Sequence, residues 1–496
     1  MNVYPSKEEA LHLCETNEYG VIPICLEMYA DKMTPVMVMK ILKKISVHCY
    51  MLESVEEQKK WGRYTFLGYD PTLELTCYNH ELTIRSGMME KKVVEHPKDA
   101  IRTILEQYRS PKLKNLPTFT GGFVGYFSYD YIKYSEPKLV LDAEDEDGFM
   151  DVDLMLFDKV IAFDNERQKI LLISNAKTDH LEETYENAKK TLKEMMELLS
   201  CGEMAENKPV QLTSDWNSLF DKEAYCNMVE TAKKLIVEGD IFQVVLSNRL
   251  EAKVEGSLLD TYRVLRTLNP SPYMFYFSSD DIEIAGASPE TLVKLQENKL
   301  STYPLAGTRK RGVDSVEDER IIQELLGDEK ELAEHNMLVD LGRNDIGKIS
   351  TIGSVRVEKY ASIEQFSHVF HIGSTVTGDL LPNKDALDAI DAILPAGTLS
   401  GAPKLRACEI INELEGKKRG IYGGAIGYIS FTGELDTCIA IRLAYRKNGK
   451  VFVRSGAGIV ADSIPESEYE ECINKAQAVV TAIQMAEGGI DYDSAH

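Results

Sequence analysis

The chain has 496 residues, 44% hydrophobic and 27% charged, enough for a large core and, at about 150 residues per domain, for more than one domain. No apolar stretch nears the roughly 18 residues of a membrane helix, and the N-terminus, MNVYPSKEEA, lacks the basic region and apolar run of a secretory signal. A formal net charge of -24 excludes a non-specific nucleic-acid surface, which needs a basic face, and obliges any anionic ligand to be met by locally placed cations.

Nine cysteines, odd in number and without a CxxC pair, read as reduced core thiols of a cytoplasmic protein. Residues 1–200 mix short strand-like runs, LELTC at 73–77 and KILLIS at 169–174, with turns, and end in a charged helix over 180–199. The polar stretch 201–215 is expected to be a linker. A C-terminal region, 216–490, opens with a helix over 222–238, where Tyr225, Met228, Val229, Ala232, Leu235 and Ile236 recur at helical spacing. Further on, TCIAIRLAYR (437–446) alternates as one strand, with Arg442 between Ala440 and Ala444 on its less hydrophobic face. KVFVRSGAGIV (450–460) is a strand ending in a glycine-rich turn, and 465–487 is the last helix, with Ser463 as its cap and Pro465 at its first position. Strands with hairpin-like turns outnumber crossovers, which makes the class α+β.

Four groups of residues carry possible chemistry. Glu334, Leu338 and Leu341 fall at i, i+4, i+7, so a carboxylate sits in an apolar stripe, with Glu331 facing the same way. Glu468 and Glu471 form a second i, i+3 pair, beside the small residues Gly456, Ala457 and Gly458. Taken alone, each pair reads more readily as a solvated helix face, and Glu471–Lys475 as an ordinary i, i+4 ion pair. Together the two pairs suit one hard cation such as magnesium, which takes a few carboxylates plus water and substrate oxygens. Arg442 can grip a carboxylate in a bidentate fork or lie on an edge strand. The runs PLAGTRKRG (304–312), TLSGAPK (398–404) and YGGAIGY (422–428) are tight turns or ligand loops. His368 and His371, in an apolar run, read more readily as core histidines than as catalytic ones. No dinucleotide fingerprint and no phosphate loop occurs.

In order, GDIFQVVLSNR (239–249), NPSPYMFYF (269–277), GASPE (286–290), PLAGTRKRG, ELAEHNMLVDLGRND (331–345), HVFHIGS (368–374), GTLSGAPKLRA (397–407), YGGAIGY, LDTCIAIR (435–442) and SGAGIVADSIPESEYEE (455–471) resemble the chorismate-utilising enzyme family, in its anthranilate synthase branch. The N-terminal half matches more thinly, through MLESVE (51–56), GRYTFLG (62–68) and FTGGFVGYFSYD (119–130).

The resemblance implies large antiparallel sheets packed together with helices outside, and a Mg2+-dependent site that turns chorismate and ammonia into anthranilate and pyruvate. By position, Glu334 and Glu471 match the metal ligands, with Glu331 and Glu468 beside them. Gly307, Thr308, Tyr422, Arg442 and the Gly456-Ala457-Gly458 backbone match substrate-contacting positions. Glu290 matches the general acid, and His371, Thr398 and Gln243 line the reacting ring. The aminodeoxychorismate branch carries a nucleophilic lysine where this chain has Ala306, and the isochorismate branch a lysine base where it has Gln243. The resemblance also implies a separate glutamine amidotransferase subunit, since no glycine-flanked nucleophilic cysteine is present. It further implies feedback by L-tryptophan at Ser54, Pro272, Tyr273 and Met274. The rival readings are another chorismate aminase, making the 2-amino intermediate or the 4-amino isomer, and a non-catalytic tryptophan sensor.

Overall fold

The computed structural model describes residues 2–15, 18–54, 62–206, 208–365 and 369–490. His368 and the end of the 51–56 segment lie outside them. The described strands form two large antiparallel sheets, of thirteen and twelve strands. The first runs from Val21–Tyr29 through Cys49–Glu53, Tyr273–Ser278, Glu283–Ser288, Leu443–Lys447 and Lys450–Ile459 to Gln243–Glu255 and the short Gln211–Leu212. The second runs from Leu305–Lys310 through Val369–Asp379, Thr291–Gln296, Leu435–Ile439, Ala425–Ser430 and Gly122–Phe127 to Met88–Val93. Residues before 200 and after 216 share both sheets, joined where Cys49–Glu53 pairs with Tyr273–Ser278 and where Gly122–Phe127 pairs with Ala425–Ser430. Within 201–215, the Gln211–Leu212 strand pairs with Gln243–Glu255.

The inner faces of the sheets meet in an aromatic core that includes Tyr50, Tyr126, Phe157, Phe275 and Phe452, all buried. Each such ring taken from water contributes about 1.5–3 kcal/mol. Helices cover the outer faces, so the expected α+β architecture of packed antiparallel sheets with helices outside is the one observed. Local signals explain several boundaries. The helix Lys222–Glu238 begins where the Asp221 carboxylate accepts from the Ala224 amide at 2.8 Å, and ends at Gly239 with φ +89°. The helix expected over 180–199 is Leu181–Cys201.

Three local expectations are corrected. The run 437–446 is two strands: Leu435–Ile439 belongs to the second sheet and Leu443–Lys447 to the first, and Ala440–Arg442 carries the chain between them, with Arg442 at φ +52°. Gly456–Gly458 is no turn but part of the straight strand Lys450–Ile459, paired with Ser247, Leu246 and Val245. Ser463 does not cap the last helix, Pro465–Ala486; its hydroxyl accepts from the Val460 amide at 3.1 Å, and Ile464 holds the cap position without a side-chain bond. Pro465 does stand in the helix's first turn.

Candidate active site at the sheet-switching corner

Two neighbouring segments leave one sheet for the other at the same place. Glu283–Ser288, in the first sheet, continues through Pro289 and Glu290 into Thr291–Gln296 of the second. The return crossing is Ala440–Arg442. The crossings are stitched together: the Ile439 amide donates to the Glu290 carbonyl at 2.9 Å, the Ala287 amide to the Arg442 carbonyl at 3.0 Å, and the Ser288 hydroxyl to the Ile439 carbonyl at 2.7 Å. This places Glu290 and Arg442 in one corner between the sheets, a rigid setting for side chains that must act together.

Glu290 is buried, and its Oε1 accepts from the Thr398 hydroxyl at 3.1 Å. Burial pushes its carboxyl up to about 8, against the opposing pull of the Thr398 bond, Lys475 and Arg442, so it carries a proton at neutral pH. Arg442 is itself enclosed enough that burial lowers its pKa, and among the described residues no hydrogen bond or ion pair engages its guanidinium. His371 is buried on Val369–Asp379. Its Nδ1 lies 2.9 Å from the Gly307 carbonyl and 3.1 Å from the Thr308 hydroxyl. A carbonyl only accepts, so Nδ1 carries the proton and Nε2 is the basic nitrogen. Burial pushes the imidazole down to about 4, with Arg442 and Lys475 adding to the effect, so the ring is neutral at pH 7. Gly307 sits in a bulge between Ala306 and Thr308 at φ +60°, where a Cβ would stand 3.1 Å from Glu331 Oε2.

The carboxylates come from two helices. Glu331 and Glu334 open Glu329–Gly347, capped by Asp328, and Glu468 and Glu471 open Pro465–Ala486. Gln243 Nε2 donates to Glu334 Oε1 at 3.2 Å, while Gln243 Oε1 is buried without a partner. Glu331 pairs with Arg309 at 2.9 Å and Glu471 with Lys475 at 2.7 Å. Burial raises the Glu334 pKa, and the neighbouring charges of Glu331 and Glu471 raise it further. Burial and Glu471 likewise raise Glu468. Among the described residues no three such side chains gather at metal-binding distance. The mutual charge nonetheless fits a divalent cation, because the acids repel one another with Lys475 as a shared counter-ion.

Gly456 and Gly458 face this cluster, while Ala457 points into the core among Val244, Leu246 and Ile459. A Cβ on Gly456 would stand 3.1 Å from the Tyr422 hydroxyl, and one on Gly458 2.6 Å from Gln243 Nε2, so only glycine keeps this backbone open. Beneath lies a buried ionic knot that sequence reading did not find. Glu415 accepts from Arg419, Arg454 and the Ser247 amide, while Arg419 also donates to the Leu399 carbonyl at 2.6 Å and the Val245 carbonyl at 2.7 Å. The knot fixes the Gln243 strand, the Gly456 strand and the Thr398 turn relative to one another.

In the sequence Lys475 reads as half of an ordinary helical ion pair with Glu471. In the fold its ammonium also donates to the Gly456 carbonyl at 3.2 Å, beside the carboxylates. The only sequence signal was its place seven residues after Glu468. The remaining expected residues form a separate group: Ser54, Pro272, Tyr273 and Met274 line one cavity of about 260 Å³, together with Arg63, Tyr64, Phe66, Tyr428, Lys294 and Asp436.

Residues 48–481 match the chorismate binding enzyme family. The chain belongs to that family. Among curated relatives of this chorismate binding enzyme, an anthranilate synthase component 1 of Acetivibrio thermocellus is 45% identical over 97% of this chain and 99% of its own. That of Aquifex aeolicus is 43% identical over 98% and 99%. Of solved structures, anthranilate synthase component I from Streptococcus pneumoniae is 38% identical, with TM-score 0.75 over 91% of this chain and 98% of that one. The menaquinone-specific isochorismate synthase MenF of Escherichia coli shares the fold, at TM-score 0.70 and 19% identity over 96% and 99%. Among the described residues no helix is long and apolar enough to cross a membrane.

Proposed function

We propose that this chain is the aminating component of an anthranilate synthase, converting chorismate and ammonia to anthranilate, pyruvate and water. The observation that carries the reading is the corner where buried Glu290 lies beside Arg442, whose guanidinium no described residue pairs, with no lysine at Gln243 or Ala306. Near-full-length similarity to proteins named anthranilate synthase component 1 supports it.

Glu334 and Glu471 would hold Mg2+, with Glu331 and Glu468 beside them; bound there, the ion supplies positive charge for the ring carboxylate. Arg442 binds a substrate carboxylate in its fork, and the glycine backbone at 456 and 458 lets the substrate approach closely. Tyr422, Gly307 and Thr308 shape the wall. Glu290, oriented by Thr398, gives its proton to the departing 4-hydroxyl as ammonia adds at carbon 2. Gln243 cannot take a proton from water, so the site favours a nucleophile already competent at neutral pH. Ala306 offers no amine for covalent capture. His371 Nε2 then accepts the ring proton as pyruvate leaves and the ring aromatises.

Ammonia would come from a separate glutamine amidotransferase subunit, and the setting would be cytoplasmic. The 260 Å³ cavity, with aromatic walls and both charge signs at its rim, suits L-tryptophan as a feedback inhibitor. The test is direct. The purified chain with chorismate, magnesium and ammonium salt should produce anthranilate fluorescence, and glutamine should not replace ammonium without the partner. Accumulation of a non-fluorescent 2-amino intermediate, or of the 4-amino isomer, would overturn the assignment.

A further inference from the structure

The tryptophan-type cavity and the catalytic corner are separated by one hydrogen bond. Tyr273 lines the 260 Å³ cavity. Behind it a second cavity, of about 40 Å³, is lined by Glu290, Thr291 and Thr398. The Tyr273 hydroxyl lies 2.9 Å from Thr291 Oγ1 and 2.8 Å from Asp436 Oδ1. A carboxylate accepts, so Tyr273 donates to Asp436, and the Thr291 hydroxyl donates to Tyr273. Both partners are one step from the catalytic acid. Thr291 follows Glu290 in the chain. Asp436 shares the strand Leu435–Ile439 with Ile439, whose amide holds the Glu290 carbonyl. A bulge between Thr291 and Val293 interrupts the ladder just beyond Glu290, so the Thr291 side-chain bond adds to the Ile439–Glu290 backbone bond in setting how the chain leaves the acid.

We propose that Tyr273 is a positioning residue for Glu290, and that its hydroxyl is the link through which a molecule seated in the larger cavity disarms the acid. The second half rests on the tryptophan reading above. A ligand packed on the Tyr273 ring needs to displace the hydroxyl by well under 1 Å to lose a 2.9 Å bond, and a general acid works only within hydrogen-bond reach of its target. Asp436 is also held by Lys294 at 3.3 Å, so movement of Tyr273 is resisted on one side and passed to Thr291 on the other.

Thr291→Val is the informative variant, because Thr291 does not line the larger cavity. At constant free ammonia its kcat should fall about tenfold, within the range of a misplaced acid, and the alkaline limb of its pH profile should move to lower pH. Calorimetry should show tryptophan binding within about threefold of the unaltered chain, while the inhibition constant rises at least tenfold above the binding constant. Thr291→Ser should restore both properties. Tyr273→Phe keeps the ring in the wall and should reproduce the kcat and pH effects if Thr291→Val fails to fold. An unmoved alkaline limb with unchanged kcat would overturn the positioning role. Inhibition that still tracks binding in Thr291→Val would overturn the link. No tryptophan binding by the unaltered chain would defeat the cavity's assignment and the link together, and the pH profile would still decide the positioning role.

Discussion

Replacing Glu290 by glutamine should remove activity and, above acid pH, make the protein more stable. The carboxyl is raised from an ordinary 4.5 to about 8, chiefly by burial. Each tenfold change in proton affinity is about 1.4 kcal/mol. In the unfolded chain the carboxyl ionises from about pH 4.5 upward, whereas the folded chain keeps its proton to about pH 8, so between these values the unfolded state binds fewer protons and stability falls as pH rises. The stability lost is about 3 kcal/mol at pH 7 and about 5 kcal/mol above pH 8. Glutamine keeps the shape and a carbonyl oxygen for the Thr398 hydroxyl but does not titrate. The difference in unfolding free energy between Glu290→Gln and the unaltered chain, from urea melts at pH 5, 6, 7, 8 and 9, should therefore grow with pH and level off near pH 8. Turnover should drop about 10²- to 10⁴-fold, and in the unaltered chain it should fall as pH rises through about 8. A stability difference that stays flat with pH, or a variant with near-normal turnover, would refute the reasoning.

Glu334→Ala and Glu471→Ala should each abolish magnesium-dependent turnover with chorismate and ammonium, and near-normal activity in either would show that the carboxylates do not hold the ion. His371, with its imidazole pushed down to about 4 by burial, should remain neutral through pH 5 when followed by NMR against His371→Gln; a midpoint near 6.5 would contradict the burial argument. As pH falls from 6.5 through about 4 the unfolded histidine takes up its proton first, so stability should be lost over that window. Glu415→Gln should cost about 3–5 kcal/mol in urea unfolding, because it strands two buried arginines, and a loss under about 1 kcal/mol would mean that the knot is dispensable. Magnesium and chorismate should raise thermal stability together by more than the sum of their separate effects, with a coupling of about 1–3 kcal/mol; additive shifts would place them in independent sites.

Much of the fold was legible because period and end signals agreed. Lys222–Glu238 was found to the residue from its apolar spacing, and the Asp221 cap and Gly239 explain the limits. The failures share a cause. TCIAIRLAYR alternates through a break, because Ile439 and Leu443 are each buried, one in the second sheet and one in the first. A two-residue period records burial, not which sheet provides it, and the crossing that holds Arg442 is therefore invisible. The glycines at 456 and 458 suggest a turn because glycine is permissive, whereas in the fold the Leu246 carbonyl and the Gln243 amide nitrogen, each 2.6 Å from where a Cβ would stand, leave no room for one. Lys475 satisfied a helical rule and so drew no notice; its contact with Gly456 is 19 residues away along the chain. The Glu415 knot joins four separated segments, at 245–247, 399, 415–419 and 454, and no local pattern announces it.

The charge balance explains why these placements persist in one corner. A chain of net charge -24 pairs most of its internal arginines, as Arg249 with Asp147 and Arg419 with Glu415. Arg442 stands apart, enclosed and without a carboxylate within bonding distance among the described residues, and its pKa is lowered by that burial. On the two glutamate helices, Glu334 and Glu468 are raised by burial and by their acidic neighbours. Either arrangement alone is unfavourable, since unpaired buried charge costs more than it returns. On the function proposed above, a carboxylate at Arg442 and a divalent cation at the glutamates would relieve both. Lys475 and Arg309 answer Glu471 and Glu331, which leaves Arg442, Glu334 and Glu468 as the groups whose counter-charges the proposed ligands would supply.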